Sequence, residues 1–146
     1  MSNLFIIDGV GLAGLAIIYH NQDTSHPLYE LFSPTGSVNK KYLTSEASIM
    51  AAFSMVADLN KPDLMVALKR VVKYFFDMTV PYFDIFYKDH VKFFQDYGTF
   101  VQAVGSQYAP HILDSAYLAA DLYPGAIIVG RETPFYKHHK ITVEAV

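Results

Sequence analysis

The feature that most constrains the fold is a short apolar run near the N-terminus that ends in a glycine-rich segment. Residues 4–7 read Leu-Phe-Ile-Ile, so 3–8 is predicted to be a buried β-strand. The following residues, 9–14, read Gly-Val-Gly-Leu-Ala-Gly and break that strand. Residues 11–20 are apolar at nearly every position, so periodicity leaves both a helix and the second strand of a hairpin open.

Further strand signals lie on both sides of a helical middle. Residues 28–33 and 38–43 predict two strands joined by a turn at 33–36, which has Pro at its second position and Gly at its fourth. Closer to the C-terminus, 126–129 and 141–144 are predicted to be strands joined by a polar loop.

The middle of the chain has the spacing and the capping residues of helices. Thr44 is a candidate N-cap for a helix that ends near residue 59, and Pro62 lies in the first turn of the next helix. Pro81 starts a third predicted helix, and residues 110–123 form the last one before a Pro-Gly stop.

This order of elements predicts the fold class. Strands from both ends of the chain most simply share one sheet, and helices cover its faces. We therefore predict an α+β or α/β fold in which one mixed sheet of N-terminal and C-terminal strands packs against three or four central helices. A length of 146 residues is typical of one domain, so 1–146 is predicted to be a single globular domain.

The composition excludes several function classes and favours contact with a partner. Charged residues make up 17% of the chain, below the usual quarter, while Phe and Tyr number 11 each. Some large aromatic surface is then expected to be exposed, which is typical of interaction surfaces. The net charge is −3 and the basic residues are scattered, so there is no strong nucleic-acid signal. The absence of cysteine excludes disulfides and thiolate metal sites.

The most apolar stretch is too short to cross a membrane. Residues 3–19 are interrupted by Asp8, and no basic region precedes them as in a signal peptide. We therefore expect a soluble protein with no membrane partner, located in the cytoplasm or in a particle assembled there.

The glycine-rich segment carries a resemblance to a known family. A strand followed by Gly9-x-Gly11-x-x-Gly14 resembles the fingerprint of dinucleotide-binding (Rossmann) domains, particularly the flavin oxidoreductases. The resemblance implies that the three glycines let backbone approach a pyrophosphate at a helix N-terminus. It also implies an acid about 20 residues further on for the ribose, for which Glu30 is the candidate. Under this alternative the cofactor is FAD or NAD.

The same residues carry a second resemblance. Residues 5–13, which read Phe-Ile-Ile-Asp-Gly-Val-Gly-Leu-Ala, are similar to the opening of PIN-like and flap-nuclease domains. That resemblance implies that Asp8, at the end of the strand, helps bind catalytic metal together with other carboxylates. Asp114 and Asp121, seven residues apart on one predicted helix, are the later candidates, and a helix with two solvated acids is the alternative.

A third hypothesis fits the sequence as a whole and is the leading prediction. The carboxylate of Asp8 would repel a pyrophosphate beside Gly9, and the helical pattern of 44–123 shows none of the further strands that a doubly wound sheet needs. The sequence contains no complete catalytic constellation and no metal-ligand spacing. We therefore predict a non-enzymatic structural or assembly subunit without a cofactor or metal.

Such a subunit acts through protein–protein contacts as a homo-oligomer or in a larger assembly, and a virus or phage particle component fits this description. The candidate contact arms are the 34–36 hairpin and the C-terminal strand, because exposed strand edges invite pairing.

Overall fold

Parallel strands form the centre of the computed structural model, which describes residues 4–32, 41–75, 82–83 and 109–146. Within those ranges the strands form a five-stranded sheet of order β3-β2-β1-β4-β5. All four strand pairs are parallel. The strands are β1 Leu4–Ile7, β2 Lys41–Ser45, β3 Tyr82–Phe83, β4 Ile127–Gly130 and β5 Val143–Ala145.

The first strand lies in the middle of this sheet. Phe5 pairs with Tyr42 of β2 on one side and with Ile127 of β4 on the other. Because the strands are parallel, their carboxyl ends meet at one edge, which we call the carboxyl edge. The strand order reverses between β1 and β4, and this reversal is where doubly wound sheets open a crevice for ligands. Asp8, which follows β1, lies at that point.

Helices connect the strands. They are α1 Gly9–Asn21, α2 Glu46–Asp58, α3 Pro62–Phe75, α4 Ala109–Tyr117 and α5 Pro134–His138. A π-helical turn, Leu118–Leu122, continues α4, and a 3₁₀ segment, Pro27–Phe32, follows α1. Among the described residues, no helix has both the length and the apolar character needed to span a bilayer.

The sheet buries a different core on each face. Neighbouring side chains of β1 point to opposite faces, so Ile7 joins one cluster and Ile6 the other. The Ile7 cluster holds the apolar sides of α1, α2 and α3. The Ile6 cluster holds α4 and α5. The result is three layers, with helices on both faces of a parallel sheet.

The prediction of an α/β class is confirmed, but its mixed sheet is wrong because every described strand pair is parallel. A strand, β3, lies within 44–123, where the helical pattern predicts none. The strand predicted at 38–43 corresponds to β2, which continues to Ser45 and pairs with β1 rather than with 28–33. The structure identifies residues 11–20 as helix, which removes the hairpin alternative.

Two local predictions are wrong and one is shifted. Residues 28–33 form 3₁₀ helix up to Phe32 instead of a strand, because the amides of Leu28 and Tyr29 turn back to bond His26. The predicted polar loop between the last two strands contains α5. The cap of α2 is Ser45, whose hydroxyl accepts from the Ser48 amide.

The other helix and strand predictions have separate outcomes. The helices at 44–59, from 62 and at 110–123, and the two C-terminal strands, are confirmed within a few residues. The helix predicted from Pro81 is wrong at Tyr82–Phe83, which is strand, and its remainder lies outside the described residues. The turn at 33–36, with its 34–36 contact arm, also lies outside them.

Candidate functional site

The carboxyl edge of the sheet holds a buried group of polar side chains. Asp8 follows β1, and Thr44, the next-to-last residue of β2, donates its hydroxyl to the Ile7 carbonyl at 2.7 Å. His111 and Ser115 come from α4. Tyr136 reaches the same place from α5. Ligands of open parallel sheets bind at this edge, so it is the candidate site.

Asp8 is the central group of this site and is almost fully buried. Its side chain is 1% exposed. One carboxylate oxygen, Oδ1, accepts from the Gly11 amide at 2.7 Å, and the other, Oδ2, accepts from the Tyr136 hydroxyl at 2.6 Å. A Cβ at Gly130 would lie 2.5 Å from Oδ2, so the end of β4 forms a wall against the carboxylate. Both oxygens are therefore engaged by groups of the protein itself.

Burial and hydrogen bonding have opposite effects on the ionisation of Asp8. Removal from water raises the pKa of the Asp8 carboxyl from 3.8 to about 6, although the bonds from Tyr136 and from the Gly11 and Val10 amides favour the charged form. The carboxyl is therefore ionised at neutral pH and titrates well above the range of an ordinary Asp.

Tyr136 is fixed by a local capping motif. Thr133 caps α5 by accepting from the Tyr136 amide at 3.1 Å, and Pro134 occupies the first turn. This short helix directs the buried phenol at Asp8. Burial and the nearby Asp8 charge raise the pKa of Tyr136 well above 10.0, so the phenol keeps its proton and acts as a donor.

His111 completes the buried group from the other side. Its Nδ1 accepts from the Gly9 amide at 3.0 Å, which places the ring proton on Nε2. The Nε2 atom is buried without a hydrogen-bond partner. Burial lowers the pKa of His111 from 6.5 to about 4, so the ring is neutral at neutral pH.

The N-terminus of α1 has no amide left for an anion. A helix leaves its first N–H groups without partners, and these are the groups that bind phosphate. Here the Asp8 amide donates to Val129, the Gly9 amide to His111, and the Gly11 amide to the Asp8 carboxylate, which also accepts from Val10. The anion at this helix N-terminus is the protein's own Asp8.

The three glycines are explained by close packing. A Cβ at Gly11 would overlap the backbone carbonyl oxygen of Val129 in β4. A Cβ at Gly14 would lie 2.5 Å from Cβ of Val146, and one at Gly9 would lie 2.9 Å from the Cβ of Ala51 in α2. The spacing that resembles a fingerprint therefore lets α1 approach β4, α2 and the C-terminal residue.

The remaining predicted site residues do not join this group. Glu30 is exposed in the 3₁₀ segment, which follows the end of α1 that lies roughly 18 Å along the helix from Gly9 at 1.5 Å per residue. Asp114 is buried but Asp121 is exposed, because Asp121 lies in the π-helical turn, which shifts the helix face. In the described part of the chain, no three His, Asp or Glu side chains could together hold a metal ion.

Comparison with known proteins adds no relative. No protein-family model, no curated protein and no solved structure matches the chain. The function is therefore argued from the geometry.

Proposed function

We propose that this chain is a non-enzymatic structural or assembly subunit that acts through protein–protein contacts, in a homo-oligomer or a larger assembly. One observation carries the proposal. At the edge where parallel sheets bind ligands, both oxygens of Asp8 are bonded to Tyr136 and Gly11, and the helix amides beside it are bonded internally. The group stabilises the junction of β1, α4 and α5.

This geometry gives little support to a metal-dependent nuclease. A metal ligand must offer lone pairs to the ion, whereas Asp8 directs both carboxylate oxygens at donors inside the protein. Asp114 and Asp121 lie in different environments, one buried and one exposed.

The dinucleotide alternative has one observation in its favour. The strand order β3-β2-β1-β4-β5 and the helix after the glycines are the arrangement of a doubly wound nucleotide-binding sheet. Binding of FAD or NAD at this turn would require the Asp8 carboxylate to leave the α1 amides. The internal bonds therefore favour the assembly proposal.

Exposed apolar side chains support contact with a partner. In the described residues the large ones are Ile17, Met50, Leu59, Val66, Tyr74, Leu122 and Tyr123. Scattered single residues of this kind are ordinary in monomers. Here, however, Val66 and Tyr74 share a face of α3, and Leu122 and Tyr123 are consecutive in sequence, so the exposed apolar side chains are partly clustered. The proposal also places the subunit in the cytoplasm, or in a particle, such as a virus or phage particle, that assembles there.

The C-terminal strand is a weaker contact. Among the described strands β5 pairs only with β4, so one of its sides is an open edge. However, β5 has three residues and carries the exposed Glu144 at its centre. A short strand with a charge is a protected edge, so the helical faces are better candidates for the interface.

Light scattering across the micromolar range tests the proposal, and a defined multimer is expected. The same sample is then heated with millimolar ADP, FAD or NAD, and incubated with Mg²⁺ or Mn²⁺ and DNA or RNA. Neither a nucleotide-dependent rise in melting temperature nor cleavage is expected. Cleavage that disappears in Asp8→Asn, or a melting shift that saturates with nucleotide, would overturn the proposal.

A further inference from the structure

Two surfaces outside the carboxyl edge have complementary chemistry. The first is a groove of about 560 Å³ between α1, the 3₁₀ segment and α3, which we call the apolar groove. It is lined by Tyr19, Phe32, Arg70, Val71, Lys73 and Tyr74. Half of its lining residues are aromatic, and its charged groups, Arg70 and Lys73, are both basic.

The apolar groove is a stable part of the helical layer. The rings of Phe32 and Tyr19 are 5.2 Å apart, and those of Phe32 and Tyr74 are 5.9 Å apart. The Tyr74 hydroxyl donates to the Leu31 carbonyl at 3.2 Å, which ties α3 to the 3₁₀ segment. A preformed groove costs little ordering entropy when it is filled.

The groove continues into a more polar cleft of about 380 Å³ that shares Tyr19 and Arg70 with it. Asp63 lines that cleft, seven residues before Arg70 and so roughly 10 Å further along α3. The positive charge is therefore confined to the Arg70 and Lys73 end. With a net charge of −3 on the whole chain, this end is suited to one acidic side chain more than to a run of phosphates.

The second surface is the turn that follows α4, residues 121–125, which we call the 121–125 turn. Leu122 is 45% exposed and Tyr123 is 36% exposed, directly after the exposed Asp121. The turn therefore presents one acid and two large apolar side chains together. None of the three lines the apolar groove of its own chain.

The 121–125 turn is held in one shape by its backbone. The Tyr123 amide donates to the Leu118 carbonyl at 2.8 Å, and the Ala126 amide to the Tyr123 carbonyl at 3.0 Å. Gly125 has φ +89, a conformation that favours glycine, so the chain can reverse into β4. The exposed side chains are thus presented on a preorganised turn.

We infer that the 121–125 turn of one copy docks into the apolar groove of a second copy. Leu122 and Tyr123 would fill the aromatic walls, and Asp121 would face Arg70 and Lys73. This inference rests on the proposed function and names its partner, a second copy of this chain.

The turn and the groove are different surfaces, which limits the symmetry of the contact. The groove belongs to the α1–α3 layer, whereas the turn follows α4 and precedes β4. A turn that enters a groove gives either a reciprocal pair about a twofold axis or a head-to-tail contact that closes into a ring or extends as a filament. A contact formed by one turn and one groove is small, which predicts association in roughly the micromolar range.

Charge reversal tests the inference by light scattering. Arg70→Glu and Asp121→Lys should each weaken association roughly tenfold, because an attractive pair becomes a repulsive one. The double variant Arg70→Glu/Asp121→Lys should recover most of the loss. Mixing the two single variants should restore association between unlike copies, because the unchanged turn of one fits the unchanged groove of the other, and the reversed turn and reversed groove form the same pair as in the double variant.

Lys137→Glu and Glu144→Lys are the matched controls, because they make the same charge changes on exposed residues outside both surfaces. Tyr123→Ala should weaken association roughly tenfold or more while the melting temperature stays near that of the parent. A multimer that survives all the groove and turn variants would overturn this inference but leave the assembly proposal standing. A chain that is monomeric throughout the micromolar range would overturn the inference and the self-assembling form of the proposal together.

Discussion

The carboxyl edge of the sheet and the opposite end of the molecule use their side chains in different ways. At the carboxyl edge, Asp8, His111 and Tyr136 are buried; the Tyr136 hydroxyl donates to Asp8, and the His111 ring accepts from the Gly9 amide. At the other end, the 121–125 turn and the apolar groove keep large apolar side chains exposed. Buried polar groups whose hydrogen bonds are made within the protein stabilise the fold. Exposed apolar surface, by contrast, contributes favourable free energy only when a partner covers it.

The comparison also separates fold from function. The strand order and the position of Asp8 are those at which doubly wound sheets bind ligands. In this chain the same position is a packing junction between elements that are far apart in sequence. Function must therefore be argued from the atoms of the site, since one architecture hosts many activities.

The largest change in stability is expected when a single methyl group is added at the carboxyl edge. Gly11→Ala would place a Cβ on the carbonyl oxygen of Val129, and a backbone atom cannot rotate away. We expect a loss of about 3 kcal/mol or more in the free energy of unfolding, measured by urea denaturation. Gly14→Ala is the comparison variant, because its Cβ would meet the Cβ of Val146 at 2.5 Å, a side-chain contact that is less severe than the overlap with a backbone carbonyl at Gly11, so a smaller loss is expected. Stability equal to that of the parent in both variants would contradict the packing explanation for the glycine spacing.

The glycine segment shows how much of this site the sequence could predict. The strand before Asp8 and most helices follow from apolar spacing, caps and prolines, and they are found close to their predicted positions. The role of Gly11 could not be predicted, because a tight phosphate turn and a close helix–strand contact need the same missing Cβ.

The partners of Asp8 lie further along the chain than local patterns can connect. The Tyr136 hydroxyl is 128 residues away, and the His111 ring is 102 residues from the Gly9 amide that it accepts from. Only α5 left a usable signal, since Thr133 followed by Pro134 is a cap and a first-turn proline. That signal predicts a helix, but it does not show that the helix directs a phenol at β1.

The next effect concerns pH, because two buried groups at the carboxyl edge respond in opposite directions. Burial raises the pKa of Asp8 from 3.8 to about 6, so the native state takes up a proton first as the pH falls. Asp8 therefore adds stability as the pH falls from 6 to about 4. Burial lowers the pKa of His111 from 6.5 to about 4, so the unfolded state takes up that proton first and stability is lost over nearly the same range. In the parent protein the two contributions oppose each other.

Removing one of the two groups should reveal the effect of the other on the pH dependence of stability. In Asp8→Asn the free energy of unfolding should fall, relative to the parent, by up to about 3 kcal/mol between pH 6.5 and 4. In His111→Asn, which keeps an acceptor for the Gly9 amide, it should rise relative to the parent over the same range. Urea titrations at several pH values measure both slopes. Two variants with the same slope would show that the groups are not buried as described.

A smaller effect is expected from the hydroxyl that joins α5 to Asp8. Tyr136→Phe keeps the ring but leaves Oδ2 of Asp8 buried without its donor, which should cost about 2 kcal/mol. The same loss should raise the pKa of Asp8 further, since the Tyr136 bond favours the charged form. Tyr123→Phe removes an equivalent hydroxyl from a more exposed ring and should change the free energy of unfolding by less than about 0.5 kcal/mol. Similar losses of stability in the two variants would contradict the contrast between the buried polar group at the carboxyl edge and the exposed 121–125 turn.

The smallest effect on stability should come from a charge reversal on the edge strand β5, and this variant also tests where the interface lies. Glu144 is exposed on β5 between residues that pair with β4. If the helical faces form the contact, Glu144→Lys leaves the oligomeric state unchanged and shifts the free energy of unfolding by no more than about 0.5 kcal/mol. If two β5 edges pair instead, the charge at the centre of a three-residue strand would alter association strongly. Light scattering of Glu144→Lys beside Asp121→Lys therefore decides between the strand edge and the 121–125 turn, because both variants make the same change in charge.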